Sequence, residues 1–168
     1  MSSPRNCPSE KRQSRITHLV VSSCLTGERC RYDGRGIDVP RLIPLMKDRT
    51  VIKVCPEVEA GLGVPREPIH IRGNSGHQVL SGQGEVLRVR TGGDVTVPLL
   101  EACTRIALTL NRLDPSSTLV VLKERSPSCG VHSTHTDKGI TAAPGLFAAF
   151  CIEKGFQPIS EEDLEESS

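Results

Sequence analysis

The 168-residue chain contains no tryptophan and few other aromatic side chains, one tyrosine and three phenylalanines. So few rings argue against the aromatic platforms on which single-stranded nucleic acid stacks. The 21 basic and 20 acidic residues nearly cancel to a net charge of +1, which predicts no strongly basic face for polymeric nucleic acid. No apolar run approaches the roughly 18–20 residues that cross a bilayer. We therefore expect neither a membrane nor polymeric nucleic acid as a partner.

Cysteine, in contrast, is plentiful, with seven residues beside 15 glycines and 12 prolines. Met1–Thr17 lacks the apolar segment of a secretory signal peptide, so we expect the chain in the cytoplasm, where thiols stay reduced. An odd number of cysteines in a reducing compartment does not suit a disulfide framework and favours metal binding or catalysis. The alternative for each cysteine is a small buried apolar side chain.

The length suits one domain. Residues 1–16 are polar and without periodicity, which predicts a disordered arm. Residues 17–161 are predicted to form a single α/β domain, and residues 162–168 a short acidic tail. Four short runs rich in branched apolar residues are typical of buried strands: His18–Ser22, Thr50–Val54, Thr118–Leu122 and Phe156–Ser160.

Segments with helical periodicity separate these runs, at Val39–Asp48, Val95–Leu113 and Ala143–Lys154. Asp94 or Thr96 can cap the second helix, and Gly155 lies just beyond the third. Strands that alternate with helices predict a mostly parallel, Rossmann-like sheet flanked by helices. Pro68–Arg90 breaks the alternation, because IHI, HQVL and EVLRVR are separated by GNSG and SGQG. We expect a small antiparallel β-hairpin insertion there.

Three cysteines follow three of the predicted strands. Cys24 comes just after the first strand, Cys55 ends the second, and Cys129 lies seven residues beyond the third. In an open parallel sheet, ligands bind in the crevice outside the carboxyl ends of the strands. Three cysteines that are far apart in sequence are thus predicted to meet at the edge where such folds carry out chemistry.

The spacing of these cysteines is compatible with several kinds of site. Structural zinc takes four ligands, often in closely spaced cysteine pairs, whereas catalytic zinc takes three and keeps an open position. A 4Fe-4S cluster normally takes four cysteines, so three would leave one iron open. The remaining alternatives are a thiol enzyme that uses Cys24 or Cys129 directly, and cysteines that are simply buried.

Five segments of the chain resemble the signature segments of the thiouracil desulfidase family. They are SSCLTGERCRYDG at 22–34, VCPEVEAGLGVPREP at 54–68, TGGDVT at 91–96, KERSPSCG at 123–130 and KGITAA at 138–143. The resemblance extends from His18 to Glu161, which is the whole predicted domain.

This resemblance implies a 4Fe-4S cluster with three cysteine ligands and one open iron. Carried onto this chain, the ligands would be Cys24, Cys55 and Cys129, and the catalytic residues Glu57 and Ser126. The implied reaction is the non-redox conversion of a thiolated uracil, as a base or nucleotide, to its oxo form with release of sulfide. The competing interpretation is a non-enzymatic module that binds a cluster or a metal.

Basic side chains are concentrated in the same loops. We expect Arg29, Arg35 and Lys123 to bind substrate, since arginine matches the geometry of phosphate. Arg31 and Arg125 are further candidates, and salt bridges to nearby acidic residues are the alternative for all of them.

The other cysteines and two histidines receive less specific predictions. Cys30 is expected in the core or supporting the three ligands, and no role is assigned to Cys7. The helical positions of Cys103 and Cys151 predict core residues. His132 and His135 are expected in a surface loop rather than at a metal.

Overall fold

The computed structural model describes residues 15–164, and within them the chain forms eight strands and five α-helices. The strands are β1 His18–Ser22, β2 Thr50–Val54, β3 Ile69–Arg72, β4 Glu85–Arg88, β5 Thr118–Leu122, β6 Thr134–Thr136, β7 Gly139–Thr141 and β8 Ile159–Ser160. The helices are α1 Ile43–Met46, α2 Pro56–Glu59, α3 Gly76–Leu80, α4 Thr96–Leu110 and α5 Leu146–Glu153. Short 3-10 helices cover Ser23–Leu25, Pro40–Leu42, Pro115–Ser117 and Glu161–Asp163.

The strands form two sheets of four. The first has the order β2-β1-β5-β8, with every pair parallel, which confirms the predicted parallel α/β architecture. The second has the order β4-β3-β6-β7, in which β3 and β6 are parallel and the two outer pairs are antiparallel. None of the helices in residues 15–164 is long and apolar enough to cross a membrane.

Alternate residues of the first sheet build a separate core on each of its faces, as the period of a strand requires. Val20 and Val120 pack on one face with Phe147 of α5, which is fully buried. Leu19 and Val21 pack on the other face with residues of the segment before β2 and of β8. Burying each such side chain stabilises the fold by about 1.5–3 kcal/mol. Both faces of the first sheet are covered, which leaves the ends of its strands accessible. The functional loops begin at these strand ends.

Cys103 and Cys151 lie in the core, as predicted, and both are fully buried. Burial raises the pKa of Cys103 from 9.0 to about 12. Above pH 9 this thiol therefore ionises in the unfolded chain while it stays protonated in the folded protein, so folding loses stability as pH rises. Between pH 9 and 12 we expect wild type to lose about 1.4 kcal/mol per pH unit more than Cys103→Ala. Urea unfolding of both proteins on either side of pH 9 measures this, and parallel pH profiles would contradict it.

The structure corrects two of the predicted strand segments. Phe156–Ser160 contributes only Ile159–Ser160 to the sheet, since Pro158 has no N–H to donate. Between β3 and β4, which are antiparallel as predicted, the HQVL run belongs to α3. The Ser75 hydroxyl starts that helix by accepting a hydrogen bond from the backbone N–H of Gln78. The predicted insertion is thus half of a sheet that β6 and β7 complete.

The predicted helices are shorter in the structure. Val39–Asp48 divides into a 3-10 turn and the one-turn α1, with Pro44 in the first turn of α1. The helix predicted at Val95–Leu113 covers Thr96–Leu110, and the carboxylate of Asp94 accepts from the backbone N–H of Thr96. The helix predicted at Ala143–Lys154 covers Leu146–Glu153, and Gly155 follows it in the left-handed conformation.

The ends of the chain lie partly outside the described residues. The predicted disordered arm at 1–16 overlaps them only at Arg15 and Ile16, and Cys7 lies outside. Of the predicted acidic tail at 162–168, the structure describes residues up to Leu164, where Asp163 and Leu164 are buried. The boundaries at 16 and 161 stay predictions.

Candidate active site

Three loops leave the first sheet at one edge. β1 lies between β2 and β5 and runs parallel to both, with Ser22 opposite Val54 at the end of the β1–β2 pair. The strands therefore end side by side, and the loops that follow them carry Cys24, Cys55 and Cys129. The topology therefore brings together the three cysteines that follow predicted strands in the sequence.

The first loop is held tightly around Cys24. Cys24 lies in the 3-10 turn Ser23–Leu25, and its carbonyl accepts from the backbone N–H of Ile37 at 2.7 Å. This bond folds the later part of the loop back onto its start, with Gly36 beside Gly27. A Cβ on Gly36 would lie 2.4 Å from the Gly27 carbonyl oxygen, so only glycine fits there.

The second loop places Cys55 immediately before α2, with Pro56 in the first turn of that helix. Glu57 follows, and both of its carboxylate oxygens have partners. The Nε of Arg66 donates to Oε1 at 3.0 Å, and the Ser128 hydroxyl donates to Oε2 at 3.0 Å. Arg66 and Glu57 thus form a buried ion pair.

The third loop is organised by the buried carboxylate of Glu124, which is 3% exposed. Its Oε1 accepts four backbone N–H groups at 2.9–3.2 Å, from Arg125, Val131, His132 and Ser133. These bonds close residues 124–133 into a compact loop. Within it the non-glycine residue Arg125 has φ 65°, an uncommon conformation for its type, directly before Ser126.

Ser126 and Cys129 occupy a single tight turn of this loop. The Ser126 hydroxyl oxygen accepts from the backbone N–H groups of Ser128 at 3.2 Å and Cys129 at 3.1 Å. The amide of Phe147, in the first turn of α5, donates to the Ser128 carbonyl at 2.7 Å and anchors the turn to the core. Since the Ser126 oxygen accepts twice, its single hydroxyl hydrogen is what it can offer to a ligand.

The three loops and the strand pair β3–β6 enclose a cavity of about 540 Å³, well within the range of small-molecule sites. Four cysteines line it: Cys24, Cys30, Cys55 and Cys129. Glu57, Ser126 and Lys123 also line it. The Lys123 ammonium forms an ion pair with the carboxylate of Glu161 at 3.1 Å.

Burial strongly disfavours ionised thiols in this cavity. Burial and the neighbouring Cys55 raise the pKa of Cys24 to about 11. Burial, Cys55 and Cys24 raise the pKa of Cys30 to about 12. Burial raises the pKa of Cys129 well above its ordinary value, against the opposing effect of a hydrogen bond from Ser22. A nucleophilic cysteine has a lowered pKa, which is the opposite direction to the shifts at Cys24 and Cys129.

The cavity cysteines supply the thiolate donors that an iron-sulfur cluster takes. Mutual repulsion among the thiolates would be relieved by a positively charged metal centre, which displaces their protons. Among residues 15–164, no three His, Cys, Asp or Glu side chains are grouped as the ligands of one metal ion would be. A cluster makes a different demand, because each cysteine binds its own iron. Cys24, Cys55 and Cys129 all line one cavity, and each would bind one iron of such a cluster.

Comparison with known proteins agrees with this geometry. Residues 19–163 match the family model described as 2-thiouracil desulfurase. The chain belongs to the 2-thiouracil desulfurase family. The match spans all three cysteine-bearing loops and both sheets, which confirms the family that the sequence motifs indicate.

Two relatives of this desulfurase-family chain show how far the similarity extends. The protein YbbK of Bacillus subtilis (strain 168), described as uncharacterized, is 35% identical over 150 residues, which cover 87% of this chain and 97% of YbbK. A solved structure of the [4Fe-4S]-dependent thiouracil desulfidase TudS superposes with a TM-score of 0.72 at 29% identity. That similarity covers 88% of this chain and 93% of the TudS chain.

The predicted substrate-binding residues of this desulfurase-family protein divide into two groups. Lys123 lines the cavity, as do Arg31 and Arg125. Arg29 and Arg35 are exposed and are not among the lining residues. Substrate binding by Arg29, Arg35 and Lys123 stays a prediction, as do the roles of Glu57 and Ser126.

Sequence reasoning misses two residues of the site. Arg66 and Ser128 hold Glu57, but the contact from Ser128 spans 71 positions and has no signature in spacing. Cys30 is expected in the core or supporting the three ligands. It lines the cavity, its thiol contacts that of Cys55, and it also packs against the core on the Leu19 face of the first sheet. The RYDG and SPSC segments indicate which loops are functional, but they do not predict which side chains of those loops contact one another.

Two histidines expected in a surface loop lie in ordered structure. His135 is in β6, exposed and at the cavity, and the pairing of Ile71 with Thr136 sets it beside His70 of β3. The His132 ring contacts the carboxylate of Asp163 at 2.6 Å. The prediction of a loop is therefore wrong for His135, because β6 completes the second sheet.

Proposed function

We propose that this protein is an iron-sulfur-dependent desulfidase that converts a thiolated uracil, as a base or nucleotide, to its oxo form. The thiocarbonyl compound and water give the carbonyl compound and hydrogen sulfide, with no net transfer of electrons. The observation that carries the proposal is the meeting of Cys24, Cys55 and Cys129 with the carboxylate of Glu57 on one cavity. Membership of the 2-thiouracil desulfurase family and the likeness to TudS support it.

Cys24, Cys55 and Cys129 would hold the cluster, one from each loop at the sheet edge. Such a cluster supplies an iron without a protein ligand, a soft Lewis acid suited to a thiocarbonyl sulfur. Thiols at these positions need a reducing compartment such as the cytoplasm. Cys30 lies beside Cys55 and is left as a supporting residue.

Glu57 is the proposed general base. Its carboxylate lines the cavity, forms an ion pair with Arg66, and can take a proton from a water molecule that attacks the thiocarbonyl carbon. An ionised carboxylate has about four acceptor sites. Arg66 and Ser128 occupy two of them, so the remaining sites are available to a water in the cavity.

Ser126 is the proposed donor to the pyrimidine ring. Its oxygen accepts two backbone N–H groups, which fixes the oxygen and leaves the hydroxyl hydrogen for a ring oxygen or nitrogen. A fixed donor can orient the ring or supply a proton as sulfur leaves.

Basic residues support recognition of an anionic group on the substrate. The cavity is lined by Arg31, Arg66, Lys123 and Arg125 against Glu57 and Glu124. The carboxylate of Glu124 is already committed to four backbone donors. Arg29 and Arg35 would contact only a substrate that extends beyond the lining, such as a nucleotide.

Anaerobic reconstitution with iron and sulfide, followed by incubation with 2-thiouracil, tests this function. We expect the visible absorption of a 4Fe-4S cluster and formation of uracil. A cluster without uracil formation would favour the non-enzymatic module. Uracil formation by protein that carries zinc and no iron would favour a zinc enzyme.

A further inference from the structure

The carboxylate of Glu57 connects all three cysteine-bearing loops. Arg66, which donates to Oε1 of Glu57, also donates through one terminal nitrogen to the carbonyls of Cys30 at 2.9 Å and Gly63 at 2.9 Å. The hydroxyl that holds Oε2 belongs to Ser128, the residue before Cys129. One side chain of the second loop is thus joined to the first loop through Arg66 and to the third loop through Ser128.

These contacts are buried, unlike a comparable pair on the surface. The side chains of Arg66 and Glu57 are 6% and 13% exposed, and Ser128 is 1% exposed. Arg105 and Glu59 form the same Nε–Oε1 contact at 3.0 Å, but with side chains 49% and 47% exposed. A surface pair of that kind is screened by water and contributes little. The buried contacts restrict the carboxylate far more strongly.

A carboxylate held at both oxygens has one orientation. Held at Oε1 alone, Glu57 could rotate about its terminal bond, a broad torsion that costs little. The second bond, from Ser128, removes this freedom and fixes which acceptor sites face the cavity. A general base works through such fixed geometry, because the proton that it takes must lie within hydrogen-bond reach.

We propose that Ser128 and Arg66 are positioning residues that hold the Glu57 carboxylate at both oxygens in the orientation from which it acts on water. This inference rests on the proposed function for its kinetic consequence, and on the structure alone for its geometric one. Ser128 fixes the orientation of the carboxylate, and Arg66 fixes its position.

A double-mutant cycle between Ser128→Ala and Glu57→Gln tests the kinetic consequence. Loss of a hydrogen bond to a charged group predicts that Ser128→Ala lowers kcat for 2-thiouracil about 10–100-fold, with KM and iron per chain unchanged. In the Glu57→Gln background, Ser128→Ala should lower kcat by less than about 2-fold, because the carboxylate that Ser128 orients is no longer present. Arg66→Lys keeps the positive charge but loses the planar guanidinium that contacts both Glu57 and the Cys30 carbonyl. It should likewise lower kcat in wild type and have little effect in the Glu57→Gln background.

Thr118→Val and Arg105→Met are the matched controls. Thr118 is a buried hydroxyl that donates to the Asp114 carbonyl at 2.8 Å, at the opposite end of β5 from the cavity loop. Arg105 is the surface counterpart of Arg66. Both controls should keep the wild-type kcat. The positioning role would be overturned if Ser128→Ala lowered kcat equally with and without the Glu57 carboxylate. It would also be overturned if Ser128→Ala alone kept the wild-type kcat.

A crystal structure of the Ser128→Ala variant tests the geometric consequence without any turnover. The Glu57 carboxylate should rotate from its wild-type orientation. An unchanged carboxylate overturns the positioning role even if the protein acts on thiouracil. Wild-type protein that is loaded with cluster and leaves thiouracil unchanged instead overturns the proposed function, while the crystal structure still decides the positioning role.

Discussion

Replacing Glu57 with glutamine is expected to lower turnover of 2-thiouracil by about 10²–10⁴-fold, the usual range for a lost general base. Glutamine is nearly isosteric but cannot take a proton, so water is no longer activated. None of the proposed cluster ligands is altered, and iron per chain should stay at the wild-type value. Steady-state loss of thiouracil absorbance, measured beside iron quantification, gives both quantities.

Glu59→Gln is the matched control for this substitution. Glu59 lies in the same helix, two residues away, but pairs with Arg105 at the surface. It should turn over substrate like wild type. If Glu57→Gln also does so at equal iron content, Glu57 is not the base. Ser126→Ala provides a comparison. Its turnover should fall less than that of Glu57→Gln if the Ser126 hydroxyl only orients the ring, and by a comparable factor if the hydroxyl donates a proton.

Removing any one of the three strand-end cysteines is expected to abolish cluster loading. Cys24→Ala, Cys55→Ala and Cys129→Ala each delete one of only three anchors, and two thiolates leave two irons without protein ligands. The reconstituted variants should contain little iron and form no uracil. Iron and sulfide content after anaerobic reconstitution, with a check of folding by circular dichroism, measures this.

Four other cysteines provide the controls. Cys103 and Cys151 are buried in the core, and Cys7 lies outside the described residues. Their alanine variants should load the cluster fully. Cys30→Ala is the sharpest control, because Cys30 lines the same cavity and contacts Cys55. Full iron content in Cys24→Ala, Cys55→Ala or Cys129→Ala would contradict the ligand assignment.

The sequence predicts the cysteine-bearing edge well because strands of branched residues are local features. β1, β2 and β5 have the predicted limits, and parallel pairing then brings their ends together. β6 is different, because its three residues THT carry no apolar run and become a strand only by pairing with β3 and β7. Local periodicity cannot reveal a strand that tertiary contacts create.

The polar framework of the site is hidden for the same reason. Glu124 is an ordinary acidic residue in the sequence, yet it accepts four backbone donors of its loop. The contact between Ser128 and Glu57 joins residues 71 positions apart. Such contacts depend on how the loops are placed on the finished sheet. The motifs therefore indicate which loops are functional, and the structure is needed to show which side chains hold one another.

The dependence of turnover on cluster occupancy tests the central claim most directly. Wild-type protein is reconstituted anaerobically to graded iron contents and incubated with 2-thiouracil without added reductant or oxidant. We expect a rate proportional to cluster content, with no activity at zero occupancy and one sulfide released per uracil formed. A rate that is independent of cluster content, or fully loaded protein that leaves 2-thiouracil unchanged, would contradict the account.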